Sequence, residues 1–210
     1  MDKRILWFDV ETGGTDEKTD ALLQLAALIE INGEVVDEIN LKMQPIKGKR
    51  ITEKAIEKHG MTLDVISDFE FPHSCYGQFN RFLYKHNPTP VKTNRYIMAG
   101  YNADFDCRFL SQWYADISGG PFEYWKHCQF SPLDILPTLR AMRYAGVLKT
   151  EDTKLETVCN YFGIEIQAHD ALSDIRATRE LNKLVFGKLW TGWTGQPHGI
   201  LGPIAEEVTA

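Results

Sequence analysis

The amino-acid sequence predicts an α/β fold. The expected core is a mixed five-stranded sheet, flanked by helices, in which three antiparallel strands precede the parallel ones. Two observations predict this class. Residues 5–43 read as three strands with no helix between them, and beyond residue 52 helical segments alternate with short strand-like ones. A meander followed by alternating elements is typical of a single mixed sheet covered by helices.

The antiparallel part of the sheet is predicted from apolar runs and one turn. Ile5 opens a run of large apolar residues that is typical of a strand buried on both faces. Residues 21–31 form a second apolar segment, and residues 34–43 alternate as a strand does. Asn32 and Gly33 lie between these two segments, and this dipeptide is favoured in two-residue hairpin turns. The three segments therefore predict a meander.

The rest of the chain is predicted from helical spacing and from start and stop residues. Strands are expected at residues 95–101 and 127–130, and residues 64–71 read as a linker. Helices are expected over residues 52–60, 74–85, from 102 onward, 132–144, 154–162 and 170–190. Residues 1–190 would then form one domain, and the glycine-containing residues 191–210 would form an extended tail.

Composition and charge limit the functions that fit. The chain has 210 residues and a formal net charge of −6, which argues against a protein that coats nucleic acid through bulk charge. Residues 42–58 nevertheless form a local basic cluster that suits the grip of a single strand end. Neither a membrane-spanning run nor a signal peptide is expected. Four scattered cysteines favour free thiols in the cytoplasm over disulfides or a zinc site.

Two acids stand at the end of the first predicted strand. Asp9 and Glu11 are separated by one residue, so their side chains point to the same side of the strand. Paired carboxylates at a buried position repel each other unless a cation, most simply a divalent metal, lies between them. The alternative to a metal site is an ordinary acidic strand end followed by the turn Thr12-Gly13-Gly14. A motif this short is compatible with both interpretations until its context is known.

Two later stretches supply that context. Asp106 falls in the first turn of a helix that starts just after a predicted strand, at the edge where open α/β sheets form their clefts. Asp104 nearby reads as a helix-start residue that the dipole favours. Asp174 lies one turn inside the last helix, Asp170 reads as its N-cap, and His169 precedes it with an imidazole that titrates near neutrality.

Taken in order, these motifs resemble the DnaQ-like 3′→5′ exonucleases, the His-containing branch of the DEDD superfamily, whose fold is ribonuclease H-like. The matching pattern is Asp9-x-Glu11, Asn102-x-x-Phe105-Asp106 and His169-x4-Asp174. The resemblance runs over residues 5–184 and includes the step His59-Gly60. Each motif alone is weak, whereas three in this order on fitting elements are specific. The resemblance implies release of nucleoside 5′-monophosphates from a 3′ end.

The resemblance also implies the chemistry of the site. Two divalent cations, Mg²⁺ or Mn²⁺, would be held by the carboxylates of Asp9, Glu11, Asp106 and Asp174. His169 would act as the general base, so activity should rise with pH as its imidazole becomes neutral. The expected partner is nucleic acid with a free 3′ end, single-stranded DNA before RNA, and a DNA polymerase is a further candidate partner.

Five residues are candidates for contact with the substrate: Thr12, Gly13, His59, Asn102 and Phe105. The backbone N–H groups of Thr12 and Gly13 would hold the terminal nucleotide, and His59 matches a histidine that contacts it in relatives. A histidine at a helix C-terminus is equally well explained by the helix dipole, and Phe105 by a place in the core.

Two other functions fit the same residues. An exoribonuclease of the ribonuclease T or oligoribonuclease type shares the metal-binding pattern. Discrimination between the two substrates depends on the 2′-hydroxyl, on which no residue of the pattern reports. A non-catalytic nucleic-acid-binding or polymerase-accessory module on the same fold is the alternative from a different class, and it predicts no release of mononucleotides.

Overall fold

The computed structural model describes residues 2–120, 122–129, 131–167 and 170–191. Its strands are β1 (Arg4–Thr12), β2 (Leu22–Ile31), β3 (Glu34–Lys42), β4 (Ile97–Gly100) and β5 (Leu133–Asp134). Its helices are α1 (Glu53–His59), α2 (Leu63–Ser67), α3 (Pro72–His86), α4 (Ala103–Ser118), α5 (Phe122–His127), α6 (Leu136–Tyr144), α7 (Leu155–Phe162) and α8 (Ala171–Thr191).

The five strands form one sheet in the order β3-β2-β1-β4-β5. β1 pairs antiparallel with β2, and β2 pairs antiparallel with β3. β4 lies parallel to β1, and β5 lies parallel to β4. The predicted sheet, a meander followed by parallel strands, is therefore confirmed, and β1 is its central strand.

The two faces of β1 are covered by different helices, because side chains alternate along a strand. Leu6, Phe8 and Val10 pack into the large core together with α3 and α4. Ile5 and Trp7 pack on the opposite face, where Ala171 and Ile175 of α8 lie against them. Asp9 and Glu11 continue this second alternation, so the sequence directs them towards α8.

The turns and caps that the sequence predicts are confirmed. Asn32 and Gly33 both have positive φ angles, 54° and 94°, as a two-residue hairpin turn requires. The side chain of Thr52 accepts a hydrogen bond from the Ala55 N–H and caps α1, and Gly60 ends that helix in the left-handed conformation. These local signals fix the ends of the elements that surround β1.

Two predicted segments are wrong. Residues 64–71 are not a linker, because Thr62 caps the five-residue helix α2. Residues 127–130 do not form the fifth strand: His127 ends α5, and Cys128 makes only an isolated bridge to Tyr96. The fifth strand follows at Leu133–Asp134.

The predicted helix 132–144 begins later than expected. Pro132 precedes β5 and does not open a helix, and α6 starts at Leu136 with Pro137 in its first turn. The strand predicted at residues 95–101 is shorter in the structure, where it spans Ile97–Gly100. Tyr96, just before it, makes only an isolated bridge to Cys128. Within the described ranges, no helix is both long enough and apolar enough to cross a bilayer. The predicted tail lies outside the described residues from position 192 onward.

Candidate active site

β1 delivers two carboxylates to one point of the sheet. Pairing of β1 with β4 extends only from Ile5 to Trp7, so the end of β1 projects beyond its parallel neighbour. Asp9 and Glu11 lie in this projecting part, opposite Ala26 and Gln24 of β2. The register shifts between Glu11 and Thr12, and such an irregularity commonly re-aims side chains beside functional sites.

α8 supplies a third carboxylate to the same point. Ala171 and Ile175 are buried against β1, which places Asp174, one residue before Ile175, over the end of the strand. One carboxylate oxygen from each of Asp9, Glu11 and Asp174 lies within 4.8 Å of the others. The predicted convergence of these three acids is what the structure shows.

Asp106 reaches the site from the other side of the sheet. It is buried in the first turn of α4, and its Oδ1 accepts a hydrogen bond of 3.1 Å from the Val10 N–H. Val10 lies between Asp9 and Glu11, beyond the last pair of β1 and β4, so its N–H needs a partner other than a strand. Asp106 thus stands beside the three-acid group, although it is not a member of it.

Burial and mutual repulsion shift pKa values in the acidic cluster, which consists of Asp9, Glu11, Asp106 and Asp174. The pKa of Asp9 is raised well above its usual range by burial and by the neighbouring carboxylates of Asp106, Glu11 and Asp174. Burial also raises the pKa of Asp106 to about 8, against the hydrogen bond from Val10. The pKa of Glu11 is raised by burial, which the ammonium group of Lys58 opposes.

These residues fit a divalent metal ion. Carboxylate oxygens are the ligands that Mg²⁺ and Mn²⁺ prefer, and two from β1 and one from α8 come within 4.8 Å of one another. The raised pKa values of Asp9 and Glu11 reflect burial and the repulsion between neighbouring carboxylates. A cation bound among them would compensate that charge.

The Gly13-Gly14 turn is explained by the protein's own packing. A Cβ at Gly13 would lie 2.3 Å from the Arg50 carbonyl oxygen, and one at Gly14 would lie 2.1 Å from Asp20 Oδ2. The Gly13 N–H donates to the Ala21 carbonyl oxygen at 2.7 Å. The expectation that the Gly13 N–H holds a nucleotide therefore needs revision, whereas contact through the Thr12 N–H, and a place for Gly13 at the substrate, stay predictions.

His59 ends α1 next to Lys58, whose charge acts on the acids of the site. Its Nδ1 accepts a hydrogen bond from the Met61 N–H at 3.0 Å, so the neutral ring carries its proton on Nε2. Phe105 packs against the main core, with its ring centroid 4.9 Å from that of Phe109. That packing fits the core alternative for Phe105, whose contact with substrate stays a prediction.

Asn102 and Asp170 stand at the starts of the two helices that carry Asp106 and Asp174. Asn102 begins α4 in the left-handed conformation, with a φ of 62°. Asp170 caps α8 as predicted, since its Oδ1 accepts from the Ser173 N–H at 2.8 Å, and its charge also raises the pKa of Glu11. His169 lies outside the described residues. Sequence reasoning included Lys58 only as a member of the basic cluster at residues 42–58, and it did not single out Asp134, which belongs to no recognisable motif.

Comparisons with known proteins identify exonucleases and ribonucleases as relatives of this chain. The model of the exonuclease family (RNase_T) matches residues 6–181. Ribonuclease T of Hahella chejuensis is 31% identical over 203 residues, which cover 89% of this chain and 85% of the relative. Ribonuclease T of Buchnera aphidicola is 30% identical over 198 residues, covering 88% and 82%. DNA polymerase III PolC-type of Thermotoga maritima is 25% identical over 181 residues, covering 86% of this chain and 12% of that one.

A solved structure has the same fold. Exonuclease I of E. coli in complex with a dT13 oligonucleotide superposes with a TM-score of 0.73 at 23% identity. The match covers 90% of this chain and 43% of that one. As the resemblance to DnaQ-like nucleases implies, the chain therefore belongs to the exonuclease family and is a 3′→5′ exonuclease with a ribonuclease H-like fold.

Proposed function

We propose that this enzyme removes nucleotides one at a time from the 3′ end of single-stranded nucleic acid and releases nucleoside 5′-monophosphates. The observation that carries the proposal is the convergence of Asp9, Glu11 and Asp174 within 4.8 Å, with Asp106 beside them. A phosphodiester gains negative charge during hydrolysis, so a site built from acids needs cations to act on it.

Asp9, Glu11, Asp106 and Asp174 are the proposed metal ligands. Two ions, Mg²⁺ or Mn²⁺, would supply positive charge to the attacking and leaving oxygens of the phosphodiester. Asp9 is the natural shared ligand, because the central strand fixes it and the carboxylates of the other three residues all act on its pKa. The Val10 N–H holds one oxygen of Asp106, which leaves the other oxygen of that carboxylate for a cation.

His169 is the proposed general base. Its neighbour in the sequence, Asp170, is close enough to Glu11 to raise the pKa of that residue, which supports a place for His169 at the site. A neutral imidazole accepts the proton of the attacking water, so turnover is expected to rise with pH through the pKa of the histidine.

Single-stranded DNA is the first proposed substrate, and RNA is the second. The basic cluster at residues 42–58 suits a backbone of either kind, and Lys58 in particular opposes the charge of the carboxylates. RNA is favoured by one specific observation: the relatives at 30–31% identity, which match over most of their length, are named Ribonuclease T. His59 Nε2, Thr12, Gly13, Asn102 and Phe105 are the proposed contacts to the terminal nucleotide.

Association with a DNA polymerase is a further proposal. It is supported by the match to PolC-type polymerases, in which the similar region makes up 12% of the relative. An exonuclease associated with such a polymerase would remove misplaced 3′ nucleotides. Co-sedimentation of the purified chain with a replicative polymerase tests the association independently of catalysis.

The proposed activity is tested with 5′-labelled DNA and RNA oligonucleotides of one sequence. The wild-type enzyme with Mg²⁺ or Mn²⁺ is expected to shorten at least one of them from the 3′ end, and EDTA is expected to stop the reaction. Asp9→Asn should lower turnover by at least ~10²-fold, and His169→Ala by ~10²–10⁴-fold.

The matched control is Asp68→Asn, which alters an exposed aspartate outside the acidic cluster. It should turn over at the wild-type rate. Release of no mononucleotide by the wild-type protein with either ion would instead favour the non-catalytic binding module. The ratio of DNA to RNA cleavage decides between the two substrates.

A further inference from the structure

We propose that Asp134 is a positioning residue of this nuclease: its carboxylate holds the left-handed turn at Asn102 and, through α4, sets the place of Asp106. The inference depends on the proposed metal-binding role of Asp106. The hydrogen bonds of the Asp134 carboxylate in the described part of the chain go to backbone N–H groups, so its effect passes through the backbone.

One oxygen of Asp134 joins two backbone segments. Asp134 ends β5, where it pairs with Gly100 of β4. Its Oδ1 accepts a hydrogen bond of 3.1 Å from the Asn102 N–H and one of 3.0 Å from the Leu136 N–H. The first bond secures the loop between β4 and α4, and the second secures the start of α6.

The turn at Asn102 is a place where such support is needed. Asn102 has a φ of 62°, and residues other than glycine adopt this conformation at an energetic cost that the surroundings must offset. The Asn102 side chain makes no capping hydrogen bond to α4. The hydrogen bond from the Asn102 N–H to Asp134 therefore supports the turn in its place. Asparagine tolerates the conformation better than most residues do.

The turn is also tightly packed against the catalytic strand. A Cβ at Gly100 would lie 3.0 Å from the Phe8 carbonyl oxygen and 3.2 Å from the Ala103 side chain. Phe8 directly precedes Asp9, so the segment from Gly100 to Ala103 lies against β1 next to the acidic cluster. A shift of this segment has little free space to be absorbed in.

The same turn leads directly to Asp106. The Asn102 carbonyl oxygen accepts from the Phe105 N–H at 3.0 Å, which forms the first turn of α4. Asp106 follows and accepts the Val10 N–H at 3.1 Å. Release of Asn102 would therefore rotate the first turn of α4 and move the Asp106 carboxylate relative to Asp9 and Glu11. Supports of this kind commonly change metal affinity or activity by ~10–100-fold.

The test measures Mn²⁺ binding and turnover in the same variants. Mn²⁺ binding is monitored through the electron paramagnetic resonance signal of free Mn²⁺. Asp134→Ala removes both hydrogen bonds and should weaken Mn²⁺ binding by ~10-fold or more. Asp134→Asn keeps an acceptor oxygen at the same place and should bind Mn²⁺ within about threefold of the wild type, because its geometry is retained. Asp152→Ala is the matched control, since Asp152 also accepts a backbone N–H, that of Lys154, but does not contact Asn102.

A second variant separates positioning from general stability. Asn102→Gly removes the conformational penalty of the left-handed turn, so in combination with Asp134→Ala it should restore part of the lost Mn²⁺ affinity. A folded Asp134→Ala protein with wild-type Mn²⁺ affinity would overturn the inference. Loss of Mn²⁺ binding in Asp134→Asn, or a folded double variant that regains nothing, would also overturn it. A wild-type protein that binds no Mn²⁺ would instead contradict the proposed function.

Discussion

Asp104 and Asp106 lie in the same helical turn, and the fold gives them opposite environments. The Asp104 side chain is 82% exposed and pairs with Arg108 at 3.3 Å, an ordinary surface contact within one helix. Asp106 is 3% exposed and accepts the Val10 N–H. Two residues apart on a helix point in nearly opposite directions, which is why one acid meets solvent and the other meets β1.

Replacement of these two acids is expected to separate catalysis from surface charge. Asp106→Ala should lower turnover by at least ~10²-fold, because it removes a proposed ligand of the cations that would compensate the charge of the phosphodiester. Asp104→Ala removes a carboxylate from the exposed side of the same helical turn. Its turnover should stay within about twofold of the wild-type value, since exposed ion pairs contribute little. Steady-state turnover on one oligonucleotide measures both. Equal losses in the two variants would contradict the assigned roles.

At the scale of elements, the connection after β1 is fixed by its neighbours. The Gly13 carbonyl oxygen accepts from the Thr52 N–H at 2.8 Å, so the turn that follows Glu11 is attached to the start of α1. Burial opposes the ionisation of Asp20, but hydrogen bonds from the Asp16 N–H, the Arg50 guanidinium and the Thr19 hydroxyl lower the pKa of that carboxyl. α1 in turn carries Lys58 and His59 towards the acids. One turn thus aligns two elements of the site.

Gly13→Ala is expected to disturb this connection. Its Cβ would lie 2.3 Å from a backbone oxygen of Arg50, which cannot move as a side chain end can. We expect the free energy of unfolding to fall by about 2–3 kcal/mol.

Gly77→Ala is the matched control for that substitution. Gly77 lies inside α3, and its Cβ would meet only the end of the Arg81 side chain at 3.5 Å. Alanine there should raise the free energy of unfolding by roughly 0.5–1 kcal/mol. Urea denaturation measures both values. If Gly13→Ala were as well tolerated as Gly77→Ala, the close packing of the turn would be disproved.

At the scale of the whole molecule, α8 is attached to the sheet by a buried ion pair. Arg179 Nε donates to Glu30 Oε2 at 2.6 Å, and Trp7 Nε1 donates to the same oxygen at 3.2 Å. This network joins α8 to β1 and β2 on the face that carries Asp9 and Asp174. A second pair, which is exposed, joins Arg176 of α8 to Glu38 of β3.

The two arginines are expected to differ in their contribution to stability. Arg179→Met leaves Glu30 buried without its charge partner, which should lower the free energy of unfolding by about 3–5 kcal/mol. Arg176→Met breaks a solvent-exposed pair and should lower it by at most about 1 kcal/mol. Chemical denaturation of both variants provides the comparison, and a similar loss in each would contradict the assigned importance of burial.

The acidic cluster predicts how metal and pH together affect stability. The pKa of Asp106 is about 8 in the folded protein without metal, against 3.8 for an ordinary aspartate. Between these values the folded state binds more protons than the unfolded state, so the metal-free protein loses stability as pH rises. A divalent ion binds the deprotonated carboxylates and competes with those protons, so it binds more tightly as pH rises.

We therefore expect the rise in Tm caused by Mn²⁺ to be larger near ~pH 8.5 than near ~pH 6, because fewer protons oppose the ion. Differential scanning fluorimetry measures the effect, with NaCl at equal ionic strength as the control. Asp106→Asn should reduce the difference between the two pH values. A rise in Tm that did not depend on pH would show that the carboxylates are not the binding groups.

The meander and the acids of β1 could be predicted because their signals are local. Asn32-Gly33 fixes one turn, and alternation from Ile5 to Glu11 places both acids on one face. The approach of α8 follows less directly, from the small and apolar residues around Asp174. Its actual distance to Asp9 depends on packing that only the folded chain shows.

Other features could not be predicted because their signals are weak or absent. β5 has two residues, too few for a period, so the sequence predicts a helix that starts at Pro132, whereas Pro137 has that role. α2 has five residues, which is also too short for a clear helical period, so the sequence predicts a linker there. The support that Asp134 gives to Asn102 joins residues 32 positions apart and leaves no mark in the sequence. Contacts of this kind depend on topology.

The distribution of the acids along the chain also matters during synthesis. Asp9 lies on β1 and is therefore synthesised well before Asp174, which lies on α8. A nascent chain that stops before α8 contains all five strands of the sheet but lacks one of the carboxylates that converge at the site. We therefore expect the site to stay inactive towards the messenger and ribosomal RNA beside the nascent chain until α8 has been made.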